Sequence, residues 1–426
     1  MAMLERLSRG CVRAVVAATV VAAAATTLTA CGGESGGPTT LRFVWWGNED
    51  RATATKAAVA QFEKLHPDIK VETEYSGYDA YFQKLSTQVA GGAGPDLMQL
   101  DRATIGEYEH RHVLADLAGM SLHLDKIDAN LLAGGKVDGG QYAVPAGQTT
   151  QMLVLDPAKF TAAGVTVPTA KGQSWTWAQF TDAITKVGAT GVAGTTDFGW
   201  AIDWFEVWLH QHGKSLYTAG KLGFDANDLQ TFWTLTGSLR DRKGVTPATA
   251  TTKMDGSTQN SALVGKQSAS EINYDSSLTG YLSSYGAQLA AAPLPSDGKD
   301  TGMAAMPPVS FAVSQRSSHK DAAAKLLDFL VNDPDAGKIL GATRGLPPNQ
   351  DIRTQVCGAA TGANKAVCDY EAAQRDKVGP AFGAWPTGSS AIKRDFQRTY
   401  DDVIFGRISA SDGAKRVVQN AQNSLS

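Results

Sequence analysis

The chain has 426 residues and a formal net charge of −3 at pH 7, and 43% of its residues are hydrophobic. A charge this close to neutral excludes a duplex nucleic-acid binder, which normally carries a large basic excess. The hydrophobic fraction excludes disorder over the whole length, and the length itself predicts two or three folding units. The four cysteines are too few for a disulfide-rich scaffold.

The first thirty residues have the pattern of a secretory signal peptide, with arginines before an apolar run over 15–25. The tetrad LTAC, which ends at Cys31, resembles the lipobox of bacterial lipoproteins, in which the cysteine accepts a diacylglycerol. We therefore expect a lipoprotein signal peptide over 1–30, a flexible tether over 31–39, and a lipid on Cys31. A plain signal peptide with an incidental cysteine is the alternative.

No later segment has 18 consecutive apolar residues, so the lipid is expected to be the sole attachment to the membrane, on its extracellular or periplasmic face. Two cysteines, Cys357 and Cys368, remain after the signal peptide and the lipid site are set aside. In an oxidising compartment a disulfide across this short loop is expected, and two free thiols are the alternative.

The beginning of the mature chain predicts alternating strands and helices. Strands are predicted at 41–45, 69–75 and 96–101, and helices at 53–65 and 78–89. This β-α-β-α-β order is typical of a parallel sheet with right-handed crossovers, and it places the chain in the α/β class.

Later segments continue the mixture of strands and helices. The capping box of Thr176 and Gln179 begins one predicted helix, which runs to about 187. The apolar spacing of Ala323, Leu326, Leu327 and Leu330 predicts a helix that faces the core. The other predicted elements are extended segments at 141–145, 151–155 and 308–314, helices at 203–212 and 227–239, and a final helix from Ser409.

Local motifs of the common enzyme classes are absent from the sequence, including the nucleophile elbow, the zinc-protease motif, the phosphate loop and the EF-hand. The pairs His110/His112 and His210/His212 are two residues apart and face different directions on a helix, so they do not predict a shared metal. A glycosidase pair of carboxylates leaves no local signature and is not excluded. We expect no catalytic residue, no cofactor and no metal.

The tryptophans are numerous, and one of them stands where a ligand site is expected. Trp46 and Asn48 follow the first predicted strand, and Asp101 ends the third. Because α/β proteins bind ligands at the carboxyl ends of parallel strands, these three side chains are predicted to share a site. An indole face stacks on sugar C–H bonds, while carboxylates and amides bind hydroxyls, so the group favours a carbohydrate. Trp45, inside the strand, is assigned to the core.

A series of short segments follows in order along the chain: FVWWG at 43–47, GPDL at 94–97, GKVDGGQYAVP at 135–145, LDPAKF at 155–160, WTWAQF at 175–180 and RGLP at 344–347. In this order they resemble the extracellular solute-binding proteins of sugar ABC importers, the family related to maltose-binding protein. The resemblance covers residues 40–426.

This resemblance implies a two-lobed, periplasmic-binding-protein-like fold of type II, with a hinge and a ligand cleft between the lobes. It assigns 40–147 plus 303–345 to lobe 1 and 148–302 plus 346–426 to lobe 2. Glu271 departs from the family pattern, because some relatives have an aromatic residue there. The ligand contacts that the resemblance implies are Trp46, Asn48, Asp101, Trp204, Asn273, Arg344 and Trp385.

The implied function is that of a monomeric substrate-binding lipoprotein of an ABC importer. It would capture a mono- or oligosaccharide by closure of its lobes and deliver it to permease subunits that are driven by a separate cytosolic ATPase. Two alternatives stay open at this point: a lipid-anchored glycosidase or other carbohydrate-active enzyme, and a sugar-sensing receptor protein without a transport role.

Overall fold

The computed structural model describes residues 37–168, 173–286 and 288–425. The predicted signal peptide and the predicted lipid site at Cys31 lie outside the described residues. Within these ranges, the helices are too short or too polar to cross a lipid bilayer.

Strands and helices alternate through much of the chain. The strands are β1 (Thr39–Trp46), β2 (Ile69–Ser76), β3 (Leu97–Leu100), β4 (Lys136–Val137), β5 (Gly140–Gln141), β6 (Val144–Pro145), β7 (Gln151–Leu155), β8 (Tyr217–Thr218), β9 (Lys221–Leu222), β10 (Ser270–Tyr274), β11 (Ala290–Ala292) and β12 (Ser310–Val313). The helices are α1 (Glu49–Leu65), α2 (Tyr78–Ala90), α3 (Arg102–His110), α4 (Ala129–Ala133), α5 (Pro157–Ala162), α6 (Trp177–Gly188), α7 (Ile202–Gln211), α8 (Ala226–Asp241), α9 (Ala248–Thr251), α10 (Leu278–Tyr285), α11 (Lys320–Asn332), α12 (Pro334–Leu340), α13 (Gln350–Ala359), α14 (Gly362–Gln374), α15 (Ser389–Ile404) and α16 (Ala410–Ser424).

The first sheet has the strand order β2-β1-β3-β12-β6. Strand β1 is parallel to both β2 and β3, whereas β12 is antiparallel to β3 and β6. The predicted β-α-β-α-β unit is confirmed, because α1 and α2 connect these parallel strands. The carboxyl ends of β1, β2 and β3 therefore lie at one edge of the sheet.

Side-chain caps determine where several helices begin. Asn48 Oδ1 accepts a hydrogen bond from the Arg51 N–H at 3.0 Å, and α1 consequently begins at Glu49, earlier than the predicted position 53. The predicted capping box of Thr176 and Gln179 is confirmed at the start of α6. A sequence pattern locates the helix through its apolar positions, whereas the cap defines its first turn.

The second sheet is smaller, with the strand order β10-β7-β11 and antiparallel pairing throughout. Each sheet has its own hydrophobic core, and together they form the two lobes of the fold. The predicted inward face of α11 is confirmed, since its four apolar positions are buried. Trp45 is fully buried in the first lobe, as predicted.

Three segments connect the lobes and form the hinge. Gln148 exchanges two backbone hydrogen bonds with Leu346, at 2.7 and 2.8 Å, and Thr149 exchanges two with Met306, at 2.9 and 3.0 Å. The close approach of these segments requires glycine, because a Cβ on Gly147 would lie 2.0 Å from the Arg344 carbonyl oxygen. The hinge is thus a small ladder of three extended segments.

A disulfide joins Cys357 on α13 to Cys368 on α14, with a sequence separation of 11 residues. This short covalent loop limits the conformations of the unfolded chain. We expect the Cys357→Ala/Cys368→Ala variant to lose about 2 kcal/mol of unfolding free energy, the low end of the range for native disulfides. Urea titrations with and without reductant measure the loss. The reductant should lower the stability of the unmodified protein and leave the double variant unchanged; equal stability of both proteins without reductant would contradict the prediction.

Candidate functional site

The carboxyl ends of the three parallel strands bring an aromatic pair and a carboxylate together. Trp46 ends β1, Tyr78 follows β2 at the start of α2, and Asp101 follows β3 as the N-cap of α3. The Tyr78 hydroxyl donates to Asp101 Oδ2 at 2.6 Å, and the Tyr78 ring meets Trp46 edge-on at 5.5 Å between centroids. Trp46 and Asp101, which the sequence predicts to lie in one site, are therefore linked through one tyrosine.

The second lobe faces this edge with aromatic and charged side chains. Helix α7 contributes Asp203, Trp204 and Glu206, and β10 ends at Tyr274. The Tyr274 hydroxyl donates to Asp203 Oδ1 at 3.3 Å, and its ring lies 5.1 Å from the Trp204 ring. Trp385, in the segment before α15, is 3% exposed.

Arg102 connects the two lobes. It is the first residue of α3, and its guanidinium donates to Glu206 and, at 3.3 Å, to Asp203 Oδ1. Its carbonyl oxygen accepts from the Trp385 N–H at 3.1 Å. One residue thus makes a side-chain ion pair and a main-chain hydrogen bond to the opposite lobe.

The same guanidinium covers the indole face of Trp385 at 4.4 Å from the ring centroid. Lys393 of α15 pairs with Asp203 at 3.4 Å and lies about 6 Å from the rings of both Tyr78 and Trp385. Cations on an indole or phenol face are attracted by its quadrupole. In this conformation the indole face of Trp385 is therefore covered by protein cations.

The charges of this cleft stabilise one another in spite of burial. Burial alone would lower the pKa of Arg102 and of Lys393, but the adjacent carboxylates raise both. Burial would raise the pKa of Asp203, yet Lys393 and Arg102 hold it below its usual value, whereas burial prevails at Glu206 and raises its pKa. The cleft therefore places hydrogen-bond donors and acceptors beside aromatic rings, a combination suited to binding a polar ligand.

The family model for bacterial extracellular solute-binding proteins matches residues 46–336, about two thirds of the chain. The chain belongs to this family. A family 1 extracellular solute-binding protein of known structure from Alicyclobacillus acidocaldarius is 30% identical, with 92% of this chain and 100% of that chain covered and a TM-score of 0.66.

Two further relatives extend the comparison. A periplasmic oligogalacturonide-binding protein from Yersinia enterocolitica, solved with saturated digalacturonic acid, is 20% identical over 91% of this chain and 98% of its own, with a TM-score of 0.78. An uncharacterised lipoprotein from the oleD 5′ region of Streptomyces antibioticus is 31% identical over 162 residues, which are 37% of this chain. The match spans 36% of that relative's own length. The two-lobed fold inferred from the sequence is confirmed by the two solved structures, from Alicyclobacillus and Yersinia.

Three of the predicted ligand contacts make their side-chain hydrogen bonds outside the network that joins Tyr78, Asp101 and Arg102. Asn48 caps α1, with its amide directed towards Gly280 of α10. Asn273 donates to the Tyr281 hydroxyl at 2.8 Å inside the second lobe. Arg344 is buried in the first lobe, where it donates to Gln99 Oε1 at 2.9 Å and to Thr55 Oγ1 at 2.8 Å.

Arg344 is connected through Gln99 to the end of β1, where Trp46 lies. Gln99 Nε2, on the residue that Arg344 holds, donates to the Trp46 carbonyl oxygen at 3.2 Å. The arginine thereby positions the carboxyl end of β1 from within the core of the first lobe. Its guanidinium is buried, and burial together with the nearby Arg51 lowers its pKa well below the usual value.

Sequence reasoning did not identify several charged and aromatic residues of the cleft: Tyr78, Arg102, Asp203, Glu206, Tyr274 and Lys393. One signal was available in α7, whose sequence IDWFEVWLHQ carries two carboxylates three residues apart on an otherwise largely apolar helix. Such a pair lies on one helix face and needs a partner when that face is buried. Its partner, Arg102, is a hundred residues away in sequence, and no local pattern connects the two.

Glu271, the departure from the family pattern, is buried beside Asn273. Its carboxylate accepts from the Ser261 hydroxyl at 2.6 Å and from the Tyr281 hydroxyl at 2.7 Å. Burial raises the pKa of Glu271 to about 6. The side chain therefore belongs to a hydrogen-bonded network inside the second lobe.

This pKa predicts a pH effect on stability. Because the folded protein holds the Glu271 proton more tightly than the unfolded chain, the stabilisation is complete below about pH 4 and is lost as the pH rises through about 6. We expect the Glu271→Gln variant to lack this loss, which amounts to about 2 kcal/mol. Urea titrations at pH 4, 5, 6 and 7 measure it, with the exposed Glu72→Gln as the matched control. A pH slope that is unchanged in Glu271→Gln would contradict the assignment.

Two other features lie apart from the cleft residues. Glu109, His110 and Asp138 have ligand atoms within 4.8 Å of one another at the surface, an arrangement that is common without a bound ion, and we assign no metal to it. A cavity of about 430 Å³ lies in the second lobe, lined in part by Tyr370 and Gln374. None of the candidate contacts lines this cavity.

Proposed function

We propose that this protein is the substrate-binding lipoprotein of an ABC importer and that it captures a neutral carbohydrate between its lobes. The observation that carries the proposal is the meeting of Trp46, Tyr78 and Asp101 with Arg102, Trp385 and the α7 carboxylates. Indole and phenol faces bind sugar C–H surfaces, and buried charged groups bind hydroxyls in both donor and acceptor roles.

The pairing of charges supports a neutral ligand rather than a sugar acid. Within the described part of the cleft, both cations, Arg102 and Lys393, already have carboxylate partners. A uronic acid would bring a third carboxylate beside Asp203 and Glu206, and burying three carboxylates around two cations is costly. A hydroxyl can instead join the network as one more donor and acceptor. The Yersinia neighbour, solved with a digalacturonic acid, thus shares the fold and is expected to differ in ligand class.

Capture would proceed by closure of the hinge. A ligand that contacts both lobes stabilises the closed form by its difference in affinity for the two forms. In this scheme lobe 1 comprises 40–147 plus 303–345 and lobe 2 comprises 148–302 plus 346–426, and no bond of the ligand is broken. A lipid on Cys31 would hold the monomer at the membrane, beside permease subunits with a separate ATPase, and the lipoprotein name of the Streptomyces relative supports this anchor.

A thermal-shift screen of the purified protein tests the proposal. The panel contains neutral mono- and oligosaccharides, uronic acids and amino acids, and calorimetry then measures each compound that raises the melting temperature. We expect neutral sugars alone to stabilise the protein, without release of reducing ends from the oligosaccharides. Stabilisation by amino acids and by no sugar would overturn the proposal, and the appearance of reducing ends would replace it with a carbohydrate-active enzyme.

A further inference from the structure

Two acidic residues of the second lobe bind the hinge segment that contains residues 148–150. Asp275, in the short turn after β10, accepts from the Thr149 hydroxyl at 2.6 Å and from the Thr150 N–H at 3.2 Å through Oδ1. Glu371, on α14, accepts from Gln148 Nε2 at 2.5 Å through Oε2. Each carboxyl group therefore holds residues at the point where the chain passes between the lobes.

The other oxygen of each carboxyl group has no donor. Asp275 Oδ2 and Glu371 Oε1 are both buried without a hydrogen-bond partner in the described part of the chain. The two carboxyl groups hold adjacent residues of one segment, Gln148 and Thr149, and they lie side by side in hydrogen-bonding contact with each other. Two ionised carboxylates cannot hydrogen-bond to one another, so this contact requires a proton on one of them.

The ionisable side chains around Asp275 and Glu371 do not supply enough positive charge to keep both carboxyl groups ionised. Burial, and then the charge of Glu371, raise the pKa of Asp275 well above its usual range, and burial also raises the pKa of Glu371. Asp275 is fully buried, and the facing cations approach the pair from the Glu371 side. The ionisable residues that face the pair or its cations are Arg353 on α13, Arg375 after α14, Tyr370 on α14 and Asp128 before α4.

Helices α13 and α14 hold the arrangement in register. Arg353 donates to Gln148 Oε1, so the amide of Gln148 is held at both ends, by Arg353 and by Glu371. The Cys357–Cys368 disulfide joins the two helices that carry these residues. Movement of Glu371 would therefore be transmitted to Gln148 and to its backbone hydrogen bonds with Leu346.

We propose that Asp275 and Glu371 share a single proton that holds the hinge in its closed geometry, so that loss of the proton as the pH rises releases the hinge. After deprotonation the carboxylates repel each other, and Glu371 moves towards Arg353 and Arg375, away from Gln148. This proposal rests on the two-lobed fold and not on the identity of the ligand. The ligand-free protein is therefore the appropriate sample for its test.

The sign of the effect follows from proton binding. The folded protein holds the shared proton more tightly than the unfolded chain, so the stabilisation is complete below about pH 4 and is lost as the pH rises through the raised value. Over that window the unfolding constant of the unmodified protein should rise up to tenfold per pH unit relative to a variant that needs no proton. Above the window the radius of gyration should increase as the hinge opens.

Asp275→Asn is the informative variant, because its amide can accept from Thr149 and donate to Glu371 without a titrating proton. Asp369→Asn, an exposed position on α14 that pairs with Lys365, is the matched control. We expect small-angle scattering at a series of rising pH values to show an expansion of the unmodified protein and of the control, and none of Asp275→Asn.

Infrared spectroscopy provides a second readout that a purely structural role would not change. A protonated carboxyl band should be present before the transition in the unmodified protein and in Asp369→Asn, and it should be weaker by one carboxyl group in Asp275→Asn. The proposal is overturned if Asp275→Asn has the same band intensity as the unmodified protein, or if it expands like the control as the pH rises. If Asp275→Asn does not fold, Glu371→Gln, whose amide can donate to Asp275, serves in its place.

Discussion

Replacement of Trp385 by alanine should weaken binding of the cognate sugar about a hundredfold, a change of about 2.7 kcal/mol. The indole is almost fully buried between the lobes, where it contacts Arg102 on one face and Tyr217 at 5.7 Å between centroids. Truncation would remove the aromatic face and with it the cation–π contact of the Arg102 guanidinium. Isothermal calorimetry on the sugar identified by the thermal-shift screen measures the loss.

Trp177→Ala is the matched control for this experiment. Trp177 is a half-buried tryptophan of the same lobe, but its indole donates to Gln211 at 2.7 Å and contacts none of the cleft residues. This control should bind the sugar normally, with a similar change in melting temperature. If Trp385→Ala and Asp101→Ala both bind the sugar as tightly as the unmodified protein does, the site lies elsewhere.

Replacement of Arg102 by alanine should open the ligand-free protein. Asp203 would keep Lys393 as a partner, but Glu206 would lose its only cation, and closure would then bury its carboxylate unpaired. Removal of one partner from a buried ion pair costs about 3–5 kcal/mol, and here the cost falls on the closed form alone, because in the open form water reaches the carboxylates. Small-angle scattering should show a larger radius of gyration, and the affinity for the sugar should fall with it.

Arg398→Ala is the control for this second experiment. Arg398 also pairs with an aspartate, Asp395 at 2.8 Å, but the pair is exposed along α15 and contributes little. Its scattering curve should match that of the unmodified protein. Coincident curves for Arg102→Ala and Arg398→Ala would show that the ion pair does not hold the lobes together.

Trp46 and Asp101 were predictable because their positions depend on local rules. Strand periodicity located β1 and β3, and parallel strands connected by helices must end at the same edge of a sheet. The aromatic and acidic character of that edge comes from the residues at the end of each strand, Trp46 for β1 and Asp101 for β3. The predicted approach of Trp46 and Asp101 needed no knowledge of the second lobe.

The sequence by itself determined the class of the fold, the helix at the capping box of Thr176, the buried faces of α11 and β1, and the chemistry of the strand ends. Only the tertiary structure decided that Arg102 binds Glu206, 104 residues away, and that Asp275 contacts Glu371 behind the hinge. It also placed Arg344 inside the first lobe. The physical reason is that periodicity and caps act over a few residues, whereas the partner of a buried charge depends on which distant segments pack against it.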